Sequence, residues 1–527
     1  MRRSITVLIT LALGAAVLSA TPTTSAAPPG PAATTAAAAQ VPVINWQPCD
    51  EALCARVRVP LDYDDPTGAT TRLNLLKIPA AKPDQRIGSL FVNPGGPGAT
   101  ATDFARFFPF LVRPAVSNRF DIIGIDPRGT FSPATICRAD GEPPFPVVSF
   151  PVTDSQVAVW LRHDAWQRRA CRTGATAITD HMTTADDARD MDLIRQAVGD
   201  DKLTYYGISY GTYLGQTYAA MYPDNIRALI IDGVLDPVAW ATGRNGNGTK
   251  VPFSTRLKSG YGAADALSTA LTACNQSTHC VLRGRAHRTW NQLVHRLRQG
   301  PSVRHGQRLT YADLVSSTLG LLYSADSYPF LMRVLNQAHR QVFAKSAPRR
   351  PLALLRPVPA DPRGIAGPYG ATPTSGNQPG YGQISDAFHA VACADTLNPS
   401  DPAVWAKAAR RFEPAQPYFG RLWTWASSPC ARWPKAASAD AFRGPFATTT
   451  SAPLLVIGNS HDPATPISGA RVATHLFAGS RLLQLNGWGH GAIMTSNCID
   501  NAMRDYLVSL TLPAEGATCD PNRPLFR

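Results

Sequence analysis

Acidic side chains are scarce in this sequence, which contains 37 Asp and Glu residues against 51 Lys and Arg residues. The resulting formal net charge of +14 would suit a nucleic-acid partner. The arginines are scattered, however, as in residues 283–288, and do not form a dense basic stripe with interleaved aromatic residues. We therefore expect a solvated basic surface and no nucleic-acid partner.

Long apolar runs are missing beyond the N-terminal segment, so we expect no later membrane span. That segment, MRRSITVLITLALGAAVLSA, places Arg2 and Arg3 before an apolar run that is short for a bilayer span. Small residues that suit a signal peptidase follow, so we predict a signal peptide over residues 1–26 and no stable membrane anchor. Residues 27–40 are almost entirely Ala, Pro and Thr, which predicts a flexible spacer or pro-segment.

Cysteines with CxxC spacing are also missing, as are clustered histidines, so the sequence predicts no metal site. The ten cysteines are an even number, which in an exported chain is typical of disulfide bonds. Two pairs close short loops, and the other six cysteines are assigned in sequence order, although the sequence leaves other connectivities open. The expected disulfides are Cys49–Cys54, Cys137–Cys171, Cys274–Cys280, Cys393–Cys430 and Cys498–Cys519. This pattern predicts a secreted, extracellular protein.

Apolar, β-branched runs alternate with helical patterns along the chain, which favours a parallel sheet built from strand-helix-strand units. With 527 residues and 44% apolar content, the chain is long enough for one large domain with insertions or for two to three ordinary domains. Polar or glycine-rich residues follow each predicted strand, at the sheet edge where α/β proteins form their sites. The predicted strands are residues 89–92, 120–125, 203–206, 228–231, 453–457 and 482–485.

A serine lies between two glycines in YYGISYGTYLG, where Ser209 is flanked by Gly207 and Gly211. A serine on a sharp strand-to-helix turn needs small neighbours, because its backbone is strained and its flanks crowd the adjacent strand and helix. A strand at residues 203–206 and a helix at 210–221 would supply that turn. The pattern alone is common by chance, so its meaning depends on partners elsewhere in the chain.

Two later strands are followed by the residues that a serine nucleophile needs. Asp462 lies in the turn-rich segment GNSHDPATP, and His490 lies between glycines in GWGHG. A serine hydroxyl needs a base to take its proton, and a histidine is a reliable base when a carboxylate fixes its tautomer. We predict Ser209 as nucleophile, His490 as base and Asp462 as acid. His461 directly precedes the acid, and we expect it to point elsewhere.

Donors for an oxyanion are also present in the sequence. Glycines in NPGGPG, residues 93–98, let backbone N–H groups face a ligand. The N–H of Tyr210, the residue after the nucleophile, would complete the hole.

Together, NPGGPG, FDIIGIDPRG, YYGISYGTYLG, GNSHDPATP and GWGHG resemble the secreted bacterial tripeptidyl aminopeptidase family over residues 46–526. That family belongs to the α/β-hydrolase serine peptidases and is related to the proline iminopeptidases. The resemblance implies an α/β-hydrolase fold with a mostly parallel central sheet and no cofactor. It also implies Ser209, Asp462 and His490 as the triad, and Gly96 with Tyr210 as oxyanion donors.

The chain departs from the family pattern at two places. Pro94 stands where related iminopeptidases usually have histidine, and the segment from Arg128 to Ser132 reads RGTFS where relatives commonly read RGxGxS. Both departures leave the triad intact and concern the shape of the pocket.

The predicted hydrolase core has two parts, residues 41–236 and 449–527, the second similar to the C-terminal region of the family. Between them, residues 237–448 resemble an inserted, mainly helical cap domain that decides which substrates enter. An exopeptidase must recognise a free α-ammonium group, which calls for carboxylates or carbonyls. Acidic residues are sparse in this insertion, and we nominate Asp395 for substrate binding, with a solvated or helix-capping role as its alternative.

The expected function is a secreted serine aminopeptidase that releases tripeptides or other short peptides from free N-termini of peptides or proteins. A carboxylesterase or lipase would use the same triad and fold. A catalytically silent extracellular binding protein is the alternative from another class. The sequence does not determine the length of the released peptide or the oligomeric state.

Overall fold

The computed structural model describes residues 39–130, 137, 148–173, 177–304, 307–343, 383–434 and 436–527. The predicted signal peptide, and the predicted spacer except for residues 39 and 40, lie outside the described residues. Within the described ranges, no helix combines the length and apolarity needed to cross a membrane.

A ten-stranded sheet forms the centre of the protein in the order β1-β2-β3-β5-β4-β6-β7-β10-β11-β12. The first four strands in this order pair antiparallel, and the strands from β5 to β12 pair parallel. The strands are β1 (Gln47–Cys49), β2 (Ala52–Pro60), β3 (Thr70–Ile78), β4 (Gly88–Asn93), β5 (Phe120–Ile125), β6 (Leu203–Ile208), β7 (Ile226–Asp232), β10 (Leu455–His461), β11 (Arg481–Trp488) and β12 (Thr518–Cys519).

Burial along the strands follows their place in the sheet. Every residue of β4 and of β6 is buried, as expected for central parallel strands that are covered on both faces. Strand β2 lies near the antiparallel edge and alternates instead, with Arg56 and Arg58 exposed between buried Ala55, Val57 and Val59. The strand that leads to Ser209, β6, is therefore fully buried, as is its neighbour β4.

Helices cover the sheet and are the main regular elements of the described residues between β7 and β10. Those outside this segment are α1 (Ala101–Phe107), α2 (Pro114–Ser117), α3 (Asp154–Thr173), α4 (Thr184–Ala197), α5 (Tyr210–Met221), α15 (Ile467–Leu476) and α16 (Asn497–Ser509). Those within it are α6 (Pro237–Ala241), α7 (Phe253–Arg256), α8 (Ser259–Gln276), α9 (Ala286–Arg298), α10 (Tyr311–Leu322), α11 (Tyr328–Phe343), α12 (Gln383–Asp395), α13 (Ala403–Phe412) and α14 (Phe419–Trp425).

The segment between β7 and β10 is an insertion between two neighbouring strands, because Leu455 of β10 pairs directly with Ile230 of β7. A two-stranded hairpin, β8 (Ser302–Arg304) with β9 (Gln307–Leu309), accompanies its helices. Trp290, Trp405 and Trp425 are fully buried among them, in an apolar cluster that also includes residues of the central sheet. The assignment of residues 237–448 as a cap domain stays a prediction.

All ten cysteines belong to the described residues, and all are paired in disulfides. The bonds are Cys49–Cys54, Cys137–Cys171, Cys274–Cys280, Cys393–Cys430 and Cys498–Cys519. This connectivity is the one that sequence order gives. Five disulfides are typical of proteins that fold in an oxidising compartment.

Candidate active site

Ser209 occupies the single residue between the end of β6 and the start of α5, with φ 60° and ψ −125°. A positive φ is strained for a residue with a Cβ atom and persists only where the surroundings enforce it. A Cβ atom at Gly207 would lie 2.3 Å from the carbonyl oxygen of Gly211, and one at Gly211 would lie 2.6 Å from that of Asn93. The two glycines therefore provide the space that the turn at Ser209 requires.

His490 and Asp462 form a buried pair, with His490 Nδ1 lying 2.9 Å from Asp462 Oδ2 and 3.0 Å from Oδ1. The backbone N–H groups of Ala464 and Thr465 each donate to Asp462 Oδ1 at 2.8 Å, and the Thr465 hydroxyl donates to Oδ2 at 2.9 Å. A carboxylate fixed by these donors favours the proton on His490 Nδ1, which leaves Nε2 free to act as a base.

The imidazole of His490 lies beside the chain that supports Ser209. The Ser209 N–H donates to the carbonyl oxygen of Asp232, and a Cβ atom at the next residue, Gly233, would lie 3.3 Å from His490 Cε1. His490 Nε2 is buried and has no hydrogen-bond partner among the described residues. The hydrogen bond between a catalytic serine and its histidine often forms fully only with substrate bound. A buried Nε2 atom without a partner is therefore consistent with a role for His490 as the base.

Two residues that the sequence analysis did not single out hold the histidine loop. The Asn459 side-chain amide donates to the carbonyl oxygens of Gly489 and Gly491, on both sides of the histidine, at 2.7 and 2.9 Å. The Asp232 carboxylate accepts the N–H groups of Ala492 and Ile493. Both are polar residues in or at the end of buried apolar strands, and that placement is the sequence signal that could have identified them.

The insertion also reaches the histidine. The backbone N–H of His490 donates to the carbonyl oxygen of Tyr323 at 2.8 Å, and the Tyr323 ring meets the imidazole edge-on with centroids 5.1 Å apart. A Cβ atom at Gly489 would lie 3.1 Å from the same carbonyl oxygen. This close approach explains why a glycine precedes the histidine.

The glycine-rich segment at residues 93–98 lies against the serine turn. A Cβ atom at Gly95 would lie 2.8 Å from the Tyr210 nitrogen and 2.9 Å from Ser209 Cβ. The Gly95 N–H donates to Asn93 Oδ1, which leaves Gly96 as the next amide along the segment, and Tyr210 supplies the first amide of α5. Amides in these positions are suited to stabilise an oxyanion that forms on the serine side.

Asp395 does not occupy the place that the sequence analysis assigned to it, and this is a correction. Its side chain is fully buried, and its two oxygens accept the N–H of Thr184 at 2.9 Å and the Thr184 hydroxyl at 2.6 Å. The Trp240 indole lies 3.4 Å away. Burial raises the pKa of Asp395 to about 6. The sequence could not show that Thr184, 211 positions earlier, would bury this carboxylate.

Arg128, at the second departure from the family pattern, is a buried structural residue. Its guanidinium binds both Asp190 oxygens at 2.7 and 2.9 Å and donates to the carbonyl oxygens of Pro60, Leu61 and His181. Residues 131 and 132 lie outside the described part of the chain.

One group in the described ranges brings possible metal ligands together. Asp62, His181 and Asp440 each offer a ligand atom, and these atoms lie within 4.8 Å of one another. Within this group, His181 Nδ1 lies 3.6 Å from Asp440 Oδ2. Partly exposed groups of this composition are common without a bound ion, and nothing connects this one to the serine.

Two family models match the chain, one described as "alpha/beta hydrolase fold" over residues 88–292 and one described as "TAP-like protein" over residues 416–519. A Mycobacterium tuberculosis protein named carboxylesterase B is 33% identical, over 97% of this chain and 96% of its own length. Serine protease Hip1 of the same species is 29% identical, over 90% and 91%. Tripeptidyl aminopeptidase of Streptomyces lividans is 28% identical, over 91% and 87%.

These matches span nearly the whole chain and confirm the fold class expected from its sequence motifs. The chain belongs to the TAP-like family of α/β-hydrolase enzymes and is a serine hydrolase.

Proposed function

We propose that the protein is a secreted serine aminopeptidase that hydrolyses peptide bonds near free N-termini and releases tripeptides or other short peptides. The observation that carries the proposal is the buried His490–Asp462 pair beside the strained turn at Ser209. The relatives named as a tripeptidyl aminopeptidase and a serine protease support peptides as substrates. The five disulfides support export.

In the proposed reaction, Ser209 Oγ attacks the scissile carbonyl carbon while His490 Nε2 takes its proton. The N–H groups of Gly96 and Tyr210 stabilise the oxyanion. The C–N bond breaks as His490 returns that proton to the leaving amine, which leaves an acyl group on Ser209. Water, deprotonated by His490, then attacks the acyl carbon. The bond from that carbon to Ser209 Oγ breaks, His490 returns the proton to Oγ, and the short peptide leaves with a new carboxylate. Asp462 keeps the imidazole oriented and stabilises its charged form.

A substrate ammonium group needs a carboxylate near the cleft, and we propose Asp326 for this role in place of Asp395. Asp326 is exposed and lies in the 3-10 turn Ala325–Ser327, just after the Tyr323 carbonyl that binds His490. A Cβ atom at Gly489 would lie 3.3 Å from the Ala325 nitrogen, so this turn borders the histidine loop.

Two other acids in the segment between β7 and β10 pair with arginines. Asp236 pairs with Arg244, and Glu413 pairs with both Arg298 and Arg421. These carboxylates are neutralised by arginine, which leaves less negative charge for a substrate ammonium.

A matched substrate panel tests the proposed function. We expect tripeptide amides with a free amine to be cleaved tens to thousands of times faster than their N-acetyl counterparts, because acetylation removes the charge that the site binds. Mass spectrometry of the products identifies the bond cleaved. Equal rates on free and blocked peptides would exclude an exopeptidase.

A carboxylesterase is the second candidate, because the relative at 33% identity is named carboxylesterase B and an ester uses the same triad. Simple esters in the same panel decide between them. Rapid ester hydrolysis with no cleavage of any free-amine peptide would establish the esterase and reject the aminopeptidase.

A further inference from the structure

Helix α8 of the insertion presents one face to the loops that carry the proposed acid and base. Gly262, Asp265 and Thr269 are spaced three and four residues apart, so they lie along the same side of the helix. A Cβ atom at Gly262 would lie 2.5 Å from the carbonyl oxygen of Asp462. The helix backbone therefore passes as close to the acid as a glycine permits.

Asp265 holds the residue that precedes the acid. Its Oδ2 atom lies 2.7 Å from His461 Nδ1, and the side chains of Asp265 and His461 are 37% and 26% exposed. His461 ends β10, and Asp462 is the next residue. As expected from the sequence, His461 points away from the triad, and the structure supplies its partner.

The same helix face holds the segment that precedes the base. Trp488 stacks on the His461 ring with centroids 5.0 Å apart and an interplanar angle of 28°. Its indole N–H donates to the Thr269 hydroxyl at 2.9 Å. His461 and Trp488 are also paired across β10 and β11, and His490 follows Trp488 by two residues. Asp265, His461, Trp488 and Thr269 thus form a closed set of contacts, which we call the α8 clamp.

We propose that Asp265 is a positioning residue for the triad, which acts through the α8 clamp to set the distance between Asp462 and His490. The inference rests on the proposed triad and extends it, because a helix of the insertion then maintains catalytic geometry in addition to its proposed role in covering the cleft. Small displacements of catalytic groups are costly to the rate. A partly exposed pair such as this contributes little to overall stability. The effect of breaking it should therefore appear in kcat and leave the melting temperature nearly unchanged.

The test compares Asp265→Ala, Asp265→Asn and Thr269→Val with wild type. Three quantities are measured: kcat and KM on a small neutral ester, the same constants on a free-amine peptide, and the rate at which a phosphonate labels the protein. We expect Asp265→Ala to lower kcat for both substrates and the labelling rate by about 10- to 100-fold, with KM nearly unchanged. Asp265→Asn keeps an acceptor for His461 and should recover much of the loss, while Thr269→Val should change all three rates in the same direction as Asp265→Ala.

Arg298→Gln is the matched control, because it breaks another partly exposed ion pair of the insertion, that with Glu413. It should leave all three rates unchanged. Wild-type rates in a folded Asp265→Ala protein would overturn the proposal. A rise in KM for the peptide alone, with normal ester hydrolysis and labelling, would also overturn it, because Asp265 would then contact substrate directly. Ester hydrolysis and labelling do not require an aminopeptidase, so the proposal can fail or succeed independently of the peptide assignment.

Discussion

The turn at Ser209 combines an unfavourable backbone conformation with close packing of the neighbouring residues. Its φ of 60° is unfavourable for any residue other than glycine, and close contacts at Gly207 and Gly211 exclude larger neighbours. The turn lifts the serine out of the buried strand β6 and places the first amide of α5 next to it. The unfavourable backbone conformation is thus coupled to the two features that acyl transfer needs, an accessible hydroxyl and a nearby N–H donor.

The first prediction concerns this hydroxyl. Ser209→Ala should lose nearly all turnover, by about 10⁴-fold or more, while remaining folded, because the alanine cannot form the acyl intermediate. A phosphonate should label wild type at Ser209, as located by peptide mass spectrometry, and should not label the variant. The exposed Ser268 provides the control, and Ser268→Ala should behave as wild type. Substantial activity in folded Ser209→Ala protein would contradict the proposed triad.

Asp395 yields the second prediction, on stability and pH. Burial raises its pKa from 3.8 to about 6 in the folded protein, so the folded state binds this proton more tightly than the unfolded state does. The stabilisation is present below the unfolded pKa and is lost as pH rises through the folded value. From pH about 4 to about 7.5, Asp395→Asn should therefore gain roughly 2 kcal/mol in free energy of unfolding relative to wild type.

Urea unfolding of both proteins at the two pH values measures this difference. Asp154→Asn serves as the control, since the Asp154 side chain is 99% exposed and its replacement should give a nearly pH-independent difference. If the difference in free energy of unfolding between Asp395→Asn and wild type does not change with pH, burial does not raise the pKa of this carboxylate. The same variant should leave the preference for free amines unchanged, because the Asp395 side chain is fully buried and bound to Thr184.

The triad candidates could be recognised from the sequence because each follows an apolar strand at a turn, and the carboxyl ends of parallel strands share one sheet edge. Ser209, Asp462 and His490 all meet that description. Asp395 could not be placed in the same way, because its environment depends on Thr184 and Trp240, which are distant in sequence. When residues distant in sequence bury a single polar side chain, the sequence around that side chain carries no pattern that reveals it.

Helices and strands could be predicted from the sequence best where their residues are uniformly buried. The predicted helix at 210–221 coincides with α5 (Tyr210–Met221), and the strand at 120–125 coincides with β5. Strand β10 runs to His461, four residues beyond its predicted end, because it continues past its buried apolar part into the acid loop. The hairpin of β2 and β3 was not predicted, although the alternation of exposed Arg56 and Arg58 with buried apolar residues in β2 is the pattern of a half-buried strand.

The disulfides provide a prediction at the scale of elements. Cys393–Cys430 links the end of α12 to the turn after α14 and closes a separation of 37 residues, whereas Cys274–Cys280 closes only 6. Because a longer closed loop restricts the unfolded chain more, loss of the first bond should cost about 4 kcal/mol and loss of the second about 2 kcal/mol. Urea unfolding of the two double Cys→Ser variants measures both values. Equal losses, or the reverse order, would contradict this reasoning.

At the scale of the whole molecule, residues of both the insertion and the hydrolase core surround the candidate site. The core supplies the proposed nucleophile, acid and base, while Tyr323 and α8 of the insertion contact the loops that carry His490 and Asp462. The sequence predicted an insertion at this position, but it did not predict these contacts, because they depend on how helices from distant segments pack. The proposed roles of the insertion in substrate choice and catalytic geometry therefore depend on the packing of the assembled chain.

The last prediction tests the proposal that the insertion selects substrates. The protein is strongly basic, with a net charge of +14, so a substrate ammonium needs a local carboxylate to offset the surrounding positive field. Asp326 is exposed in the turn that borders His490, and replacing it with Asn removes the negative charge while keeping the shape of the side chain. We expect Asp326→Asn to raise KM for free-amine peptides about tenfold or more and to leave the rates on N-acetyl peptides and neutral esters unchanged. Asp401→Asn, which replaces another exposed acid of the insertion, is the control and should retain the wild-type preference. If free-amine peptides keep their advantage in folded Asp326→Asn protein, a different group binds the ammonium; if the advantage falls equally in both variants, the effect comes from overall charge and not from a specific contact.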